Sequence, residues 1–394
     1  MQISNKYIVE AIVFFSYVLF AMAWVGGTAS MNQIMAAMQI DSLASASFIS
    51  GSVTLAKIVG TFTAAWLAIK MGIKKAFFIA CALITFGLFT PFATNYEVLL
   101  LSRFLMGLGG AFMIVYFNPI VMHWFDAEQR PTVNGINAVA FNVGTAIILW
   151  SMSDFNELTG NWQTSLLIFS LASLVLAVAW LLVKFDTTDS QATNGKNREK
   201  ESEESTSYSY LDGFKDKFNW AYAFTYSGLL AFYICLFTFY PKAGISESKW
   251  VIGFGIIGTI AGILYSKKFP KRIPVIRFSG LMMVITIIGL SFSANALVQS
   301  ISAIVLGFFI FFPVTALVTI PHELPRMNQQ KITVIFSLFW SSSYLVATIV
   351  LWVFGKLVDA NNGDYTGSLI MITALSSTFF FGSFFLPEPK EIKE

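Results

Sequence analysis

Twelve apolar runs, each long enough to cross a bilayer, dominate the chain and fall in two sets of six around one polar stretch. A spanning helix needs about twenty mostly apolar residues, and in hydrocarbon its backbone groups must be paired within the segment, so runs of this length read as helices. The first set covers residues 7 to 30, 46 to 69, 75 to 94, 97 to 122, 131 to 153 and 163 to 184; the second covers 218 to 240, 248 to 266, 274 to 293, 296 to 320, 331 to 355 and 366 to 386. Composition agrees, since 56% hydrophobic and 12% charged residues with a mean hydropathy of +0.69 depart from soluble usage in the direction lipid demands. The expected fold is therefore an all-α membrane protein of twelve transmembrane helices in two six-helix bundles.

The polar stretch, TTDSQATNGKNREKESEESTSYSYLDGFKDK, is rich in Ser and Glu, cannot bury enough surface to fold alone, and reads as a flexible linker. The expected division is 1–187 for the first bundle, 188–216 for the linker and 217–394 for the second bundle. If both termini and the linker are cytoplasmic, all but Lys57, Arg103, Lys242, Lys249 and Lys356 of the 25 basic residues lie on that side, the pattern of a multi-pass inner-membrane protein. The first run is too long for a signal peptide and lacks its basic flank and cleavage site, so it reads as a retained span. The net charge of +3 is scattered between apolar runs, which excludes a nucleic-acid surface. Cys81 and Cys235 lie inside apolar runs without metal-ligand spacing, no nucleophile has a matched base and no Gly-rich phosphate loop occurs. No enzyme, cofactor, metal or ATP site is expected.

Several residues depart from the apolar pattern. Arg103 lies inside the fourth run, and on a helical wheel it shares a face with Gly107, Gly110 and Ile114; small residues there let a helix or a ligand approach the backbone. Its charge is a binding hypothesis by default, the alternative being an arginine that snorkels roughly 9 Å to the nearer surface. Lys57 lies about 18 Å by helical rise from either end of the second run and must find a partner or water. Glu10, Asp154 and Glu323 all lie near span ends, so no acid faces either cation at mid-membrane. Two uncompensated cations imply a water-filled pocket of positive potential that concentrates anions, arginine binding an oxyanion bidentately and lysine acting as a mobile charge. For Lys57 a neutral amine or a hydrogen bond to a carbonyl is the alternative. Tyr226, Tyr233 and Tyr240 recur every seven residues on the seventh span, as Tyr17, Trp24 and Thr28 share one face of the first; each stripe reads either as hydrogen-bond donors to substrate or as helix packing. Trp340, Ser341 and Tyr344 on the eleventh span and Thr315 on the tenth are further candidates, and Asn134, Asn137 and Asn142 on the fifth are expected to bond between helices. His123 and His322 end the fourth and tenth spans beside Asp126 and Glu323, so His123, His322 and Glu323 are candidates for proton coupling, against a plain interfacial role.

Two short motifs carry a family resemblance. After the second span, AAWLAIKMGIKKAF (64 to 77) has a small residue, a basic residue, Gly and paired basics at Ala65, Lys70, Gly72, Lys74 and Lys75, with Ile69 where an aspartate is usual; RFLMGLGGA from Arg103 to Ala111 is an arginine-containing fourth-helix pattern. GILYSKKFPKR, from Gly262 to Arg272, repeats the loop pattern in the second half. With the six-plus-six layout, these resemble the major facilitator superfamily, and residues 117 to 147 and 321 to 348 resemble its cyanate and nitrate transporter branches. The resemblance implies cavity walls from the first, fourth, seventh and tenth helices. The expected function is a monomeric secondary transporter of a small organic or inorganic anion by alternating access. Proton coupling, exchange and facilitated movement all remain open, and the rivals are an exporter of neutral or amphipathic compounds and a non-transporting receptor.

Overall fold

The computed structural model describes residues 3–126, 128–185, 208–325, 327 and 329–388. Eleven helices there are long and apolar enough to cross a membrane: Lys6–Ala29, Leu43–Met71, Ile73–Phe92, Tyr96–Trp124, Thr132–Thr159, Trp162–Leu181, Lys217–Phe239, Ser248–Lys268, Ile273–Phe292, Ala296–Glu323 and Lys331–Ala360. These are the first to eleventh spans. The twelfth, expected over 366 to 386, is shorter at Thr366–Gly382 and is interrupted at Ser377, where the Ser376 and Ser377 hydroxyls donate to the Thr373 and Ala374 carbonyls. The chain is a multi-pass membrane protein of helices; its described residues hold no strand beyond the isolated Ile3–Val183 bridge.

Local chemistry sets the ends of the spans. Asn5, Asn95, Asn161, Asp216 and Asn295 cap the first, fourth, sixth, seventh and tenth spans by accepting from backbone N–H groups that helix geometry leaves unpaired. Gly72, at φ +78°, turns the second span into the third, a conformation that a Cβ would oppose. Pro313, which has no N–H, divides the tenth span into Ala296–Phe311 and Val314–Glu323.

Burial sorts the helices. The seventh and first spans are the most enclosed, with 89% and 72% of their apolar windows buried, whereas the second, third, sixth and eighth stand at 39% and present Trp66, Ile69, Val175 and Leu264 outward. Spans one and seven are thus axial, and the halves also meet through the pairs two with eleven and five with eight. Core of the linker, residues 188–207, lies outside the described residues. Its final part departs from the flexible reading: Tyr210–Lys215 is a helix with a Ser209–Asp212 capping box, and Gly213 packs so closely on Val334 and Leu338 that a Cβ would stand 2.6 and 2.8 Å away.

Bonds between halves run along the interface, Thr54 meeting Thr348 at 2.6 Å and Thr61 meeting Ser341 at 3.2 Å between spans two and eleven, and a further set lies at the end remote from the linker, here the distal end. The Asp359 carboxylate, on the eleventh span, accepts from Ser42 Oγ at 2.8 Å and from the backbone N–H groups of Leu43 and Ala44 at 2.9 and 3.0 Å, so it caps the start of the second span. Lys242 donates to Asn32, and Trp150 meets Trp250 edge-on at 5.6 Å. At the linker end Lys6 pairs with Gln129 and Asp126 inside the first half, and Arg272 with Glu323 inside the second.

Candidate functional site

Lys57 stands where spans one, two, five and eleven converge. Its ammonium faces five rings, with Trp24 and Tyr344 centroids at 5.2 Å, Phe20 at 5.3 Å, Phe141 at 5.6 Å and Tyr17 at 5.8 Å. It donates one long hydrogen bond, 3.4 Å, to the Tyr17 hydroxyl, and no carboxylate pairs with it among the described residues. Each ring face attracts the cation by about 0.5–2 kcal/mol. The rings lack the lone pairs that an ammonium's three donors seek, so the charge is held without being quenched.

Arg103 has a different environment. It is fully buried, and its Nε donates to Ile49 O at 2.5 Å, Nη2 to Trp24 O at 2.8 Å and Nη1 to Ala23 O at 3.5 Å. Gly27 makes the room, because a Cβ there would lie 2.1 Å from Nη1. The sequence reading of two uncompensated cations in one wet pocket is therefore corrected: Arg103 staples carbonyls of the first and second spans, and Lys57, 2% exposed, sits in a dry aromatic cage. The glycine face beside Arg103 serves helix contact, since a Cβ on Gly107 would meet Val53 and Ala56, and one on Gly110 would meet Phe20.

The other candidates divide between a second layer and the periphery. Tyr226 stacks on Phe339 at 4.9 Å and edge-on against Trp340 at 5.5 Å, and Trp340 stacks on Tyr344 at 6.1 Å, so these residues back the cage from the seventh and eleventh spans. Tyr233 donates to Asn142 Oδ1 at 2.8 Å across the halves. Trp24 donates from Nε1 to Ser50 at 2.9 Å while its ring faces Lys57. Tyr240 is turned to Ser291, Ser341 to Thr61, and Asn134 to Asn118. In the loop group, Lys70 lies over the Trp66 ring and Lys74 O accepts from Trp180, while Ala65 and Lys75 join no described polar contact; all are remote from the cage.

The proton-coupling trio does not assemble. His123 stacks on Phe185 at 4.5 Å, His322 Nδ1 lies 3.1 Å from Val318 O, and Glu323 grips Arg272 at 2.6 and 3.0 Å, a bond that raises the Arg272 pKa above its ordinary value. Sequence reasoning missed Phe20 and Phe141; Phe141 shares the face of Asn134 and Asn137 at helical spacing, and that was the available signal. It also passed over Glu10 as a span-end residue. Glu10 is buried beside Asn137, and neither side chain forms a hydrogen bond.

A cavity of about 700 Å³ opens at the distal end between spans one, five, six and seven, lined among others by Thr28, Asn32, Asn156, Trp162, Thr238 and Lys242. Phe237 also lines it and packs edge-on against Trp24 at 5.7 Å. Trp24 thus touches both Lys57 and Phe237, a wall of this cavity.

Comparison with known proteins gives a family. The Major Facilitator Superfamily model matches residues 13–348. An uncharacterized protein of Campylobacter jejuni is 29% identical over 275 residues, covering 66% of this chain and 82% of that one. A major facilitator superfamily transporter of Mycoplasma pneumoniae is 21% identical over 297 residues, covering 68% of this chain and 54% of that one. Among solved structures, the inward-open conformation of the xylose transporter XylE from E. coli matches with a TM-score of 0.77 at 15% identity over 98% of both chains. A D-xylose-proton symporter matches at 0.73 and 15% identity, over 98% of this chain and 99% of that one.

Proposed function

Because the chain belongs to the Major Facilitator Superfamily, whose fold serves secondary transport by alternating access, we propose that it carries a small organic monoanion through the Lys57 cage. The observation behind this reading is an ammonium, enclosed where the halves meet, that rings hold and no carboxylate neutralises. A carboxylate entering the cage gains a charge-assisted hydrogen bond in a low-dielectric site, while a cation is repelled. Tyr17, Trp24 and Tyr344 supply the walls, with Tyr226, Tyr233 and Trp340 behind them. The carrier is read as a monomer of the inner membrane, and the basic-residue asymmetry supports a cytoplasmic linker and termini, which makes the distal end the outer one. Rocking of the halves then opens the cage to each side in turn.

A second reading is a neutral sugar, favoured by the Tyr233–Asn142 pair beside the cage and by the xylose transporters of like fold. Proteoliposome uptake of labelled lactate and labelled xylose separates the two. Lactate uptake is expected to saturate, to fall by about ten-fold or more in Lys57→Met, and to recover in part in Lys57→Arg. Saturable xylose uptake that survives Lys57→Met would transfer the function to the sugar reading, and binding without flux would make the protein a receptor.

A further inference from the structure

The distal cavity has the makings of a binding site in its own right. Thr238, on the seventh span, is 2% exposed and its Oγ1 has no hydrogen-bond partner; Asn156, on the fifth, has a buried Oδ1 that is likewise unpartnered. Lys242 is half-buried on the same wall as Asn32, to which it donates, and Trp150 and Trp162 add flat apolar faces. Glu157 also lines the cavity. Buried polar atoms in folded proteins are nearly always bonded; these two oxygens are closed off in this conformation but belong to residues that line the cavity, so a side-chain rotation brings each to its contents.

We propose that this cavity is an outer docking site for a small monocarboxylate that also carries a hydroxyl donor, held there before it passes the Trp24–Phe237 pair into the Lys57 cage. The proposal rests on the transport reading above and deepens it. Each part of the ligand follows from the lining. The Lys242 ammonium takes the carboxylate; Asn156 Oδ1 can only accept, so the ligand must bring a donor; Thr238 bonds in either sense; Glu157 repels a second negative charge, which limits the ligand to one. Burial lowers the Lys242 pKa to about 8, so the amine still carries its charge at neutral pH.

The probes are lactate and glycerate, with acetate as the analogue lacking a donor and glycerol as the one lacking charge, each tested for uptake into proteoliposomes and for quenching of the tryptophan emission from Trp150 and Trp162. In the wild type, lactate or glycerate quenches and is carried, while acetate and glycerol do so about ten-fold more weakly. Lys242→Met, Asn156→Leu and Thr238→Val each raise KM about ten-fold and leave the maximal rate near its wild-type level, and Lys242→Arg restores the KM. Lys57→Met removes uptake but keeps the quenching. Three separate variants guard against one that fails to fold, and elution as a single monodisperse peak checks each. Unchanged KM in all three, or quenching that disappears with Lys57→Met, overturns the docking site and leaves the transport reading standing. Loss of uptake in Lys57→Met together with acetate binding as tightly as lactate overturns the stated ligand class.

Discussion

Arg103 and Lys57 are both buried cations in neighbouring spans of the first half, yet their surroundings are opposite in kind. Three backbone carbonyls from two helices close around Arg103, and a glycine is set back to admit the guanidinium. Lys57 has five rings and one stretched hydrogen bond. A fork of fixed donors that finds fixed acceptors becomes part of the frame; a point charge facing polarisable walls keeps bonding capacity for something that arrives later. The same membrane cost is met once by carbonyl oxygens and once by the faces of rings.

Stability measurements in detergent can break this contrast. Arg103→Ala is expected to show the largest loss, about 3–5 kcal/mol, because it strands carbonyls that the side chain now ties together, and Arg103→Lys is expected to recover only part of it. Next comes Gly27→Ala, which drives a methyl into the guanidinium and is expected to cost about 1–3 kcal/mol. Asp359→Asn, which keeps one acceptor oxygen but loses the charge on three bonds, should lower stability by about 1 kcal/mol. Lys57→Met is expected to be neutral or to stabilise slightly while uptake collapses, since a buried charge gives way to an apolar chain of like volume. Equal destabilisation by Lys57→Met and Arg103→Ala would erase the distinction between the two sites.

The smallest effect concerns pH. Burial lowers the Lys242 pKa from 10.5 to about 8, so below pH 8 the folded protein bears the cost of enclosing an ammonium. Between pH 8 and 10.5 the unfolded chain holds the proton that the folded one has released, and stability rises with pH across that window. Thermal unfolding followed over this range should show the rise in the wild type and a flatter profile in Lys242→Met.

Long-range character was readable in the residues and local detail was not. Twelve spans were legible because an uninterrupted apolar run has few other uses, whereas the break in the twelfth goes with the Ser376 and Ser377 hydroxyls bonding back to helix carbonyls beside Gly228, whose added Cβ would stand 2.1 Å from Leu375 O. Lys57 stood out because counting places it deep in a span. The nature of its neighbours did not, since Phe20 and Phe141 come from two other helices and look like ordinary apolar residues. Arg103 was equally conspicuous and misread, because a linear sequence shows side-chain acids and hides backbone carbonyls. Glu10 was discounted by its nearness to a span end, although packing against the fifth span encloses it.

The Asp359 cap has a consequence for how this molecule can change over evolutionary time. Two of its three donors are peptide N–H groups, which any residue but proline supplies, so drift at positions 43 and 44 leaves those two bonds available while a single substitution at 359 abolishes the carboxylate they share. One side of the closure is thus written in a genetic letter and the other in the polymer itself, and a search for paired substitutions across the two halves would overlook a contact of this kind.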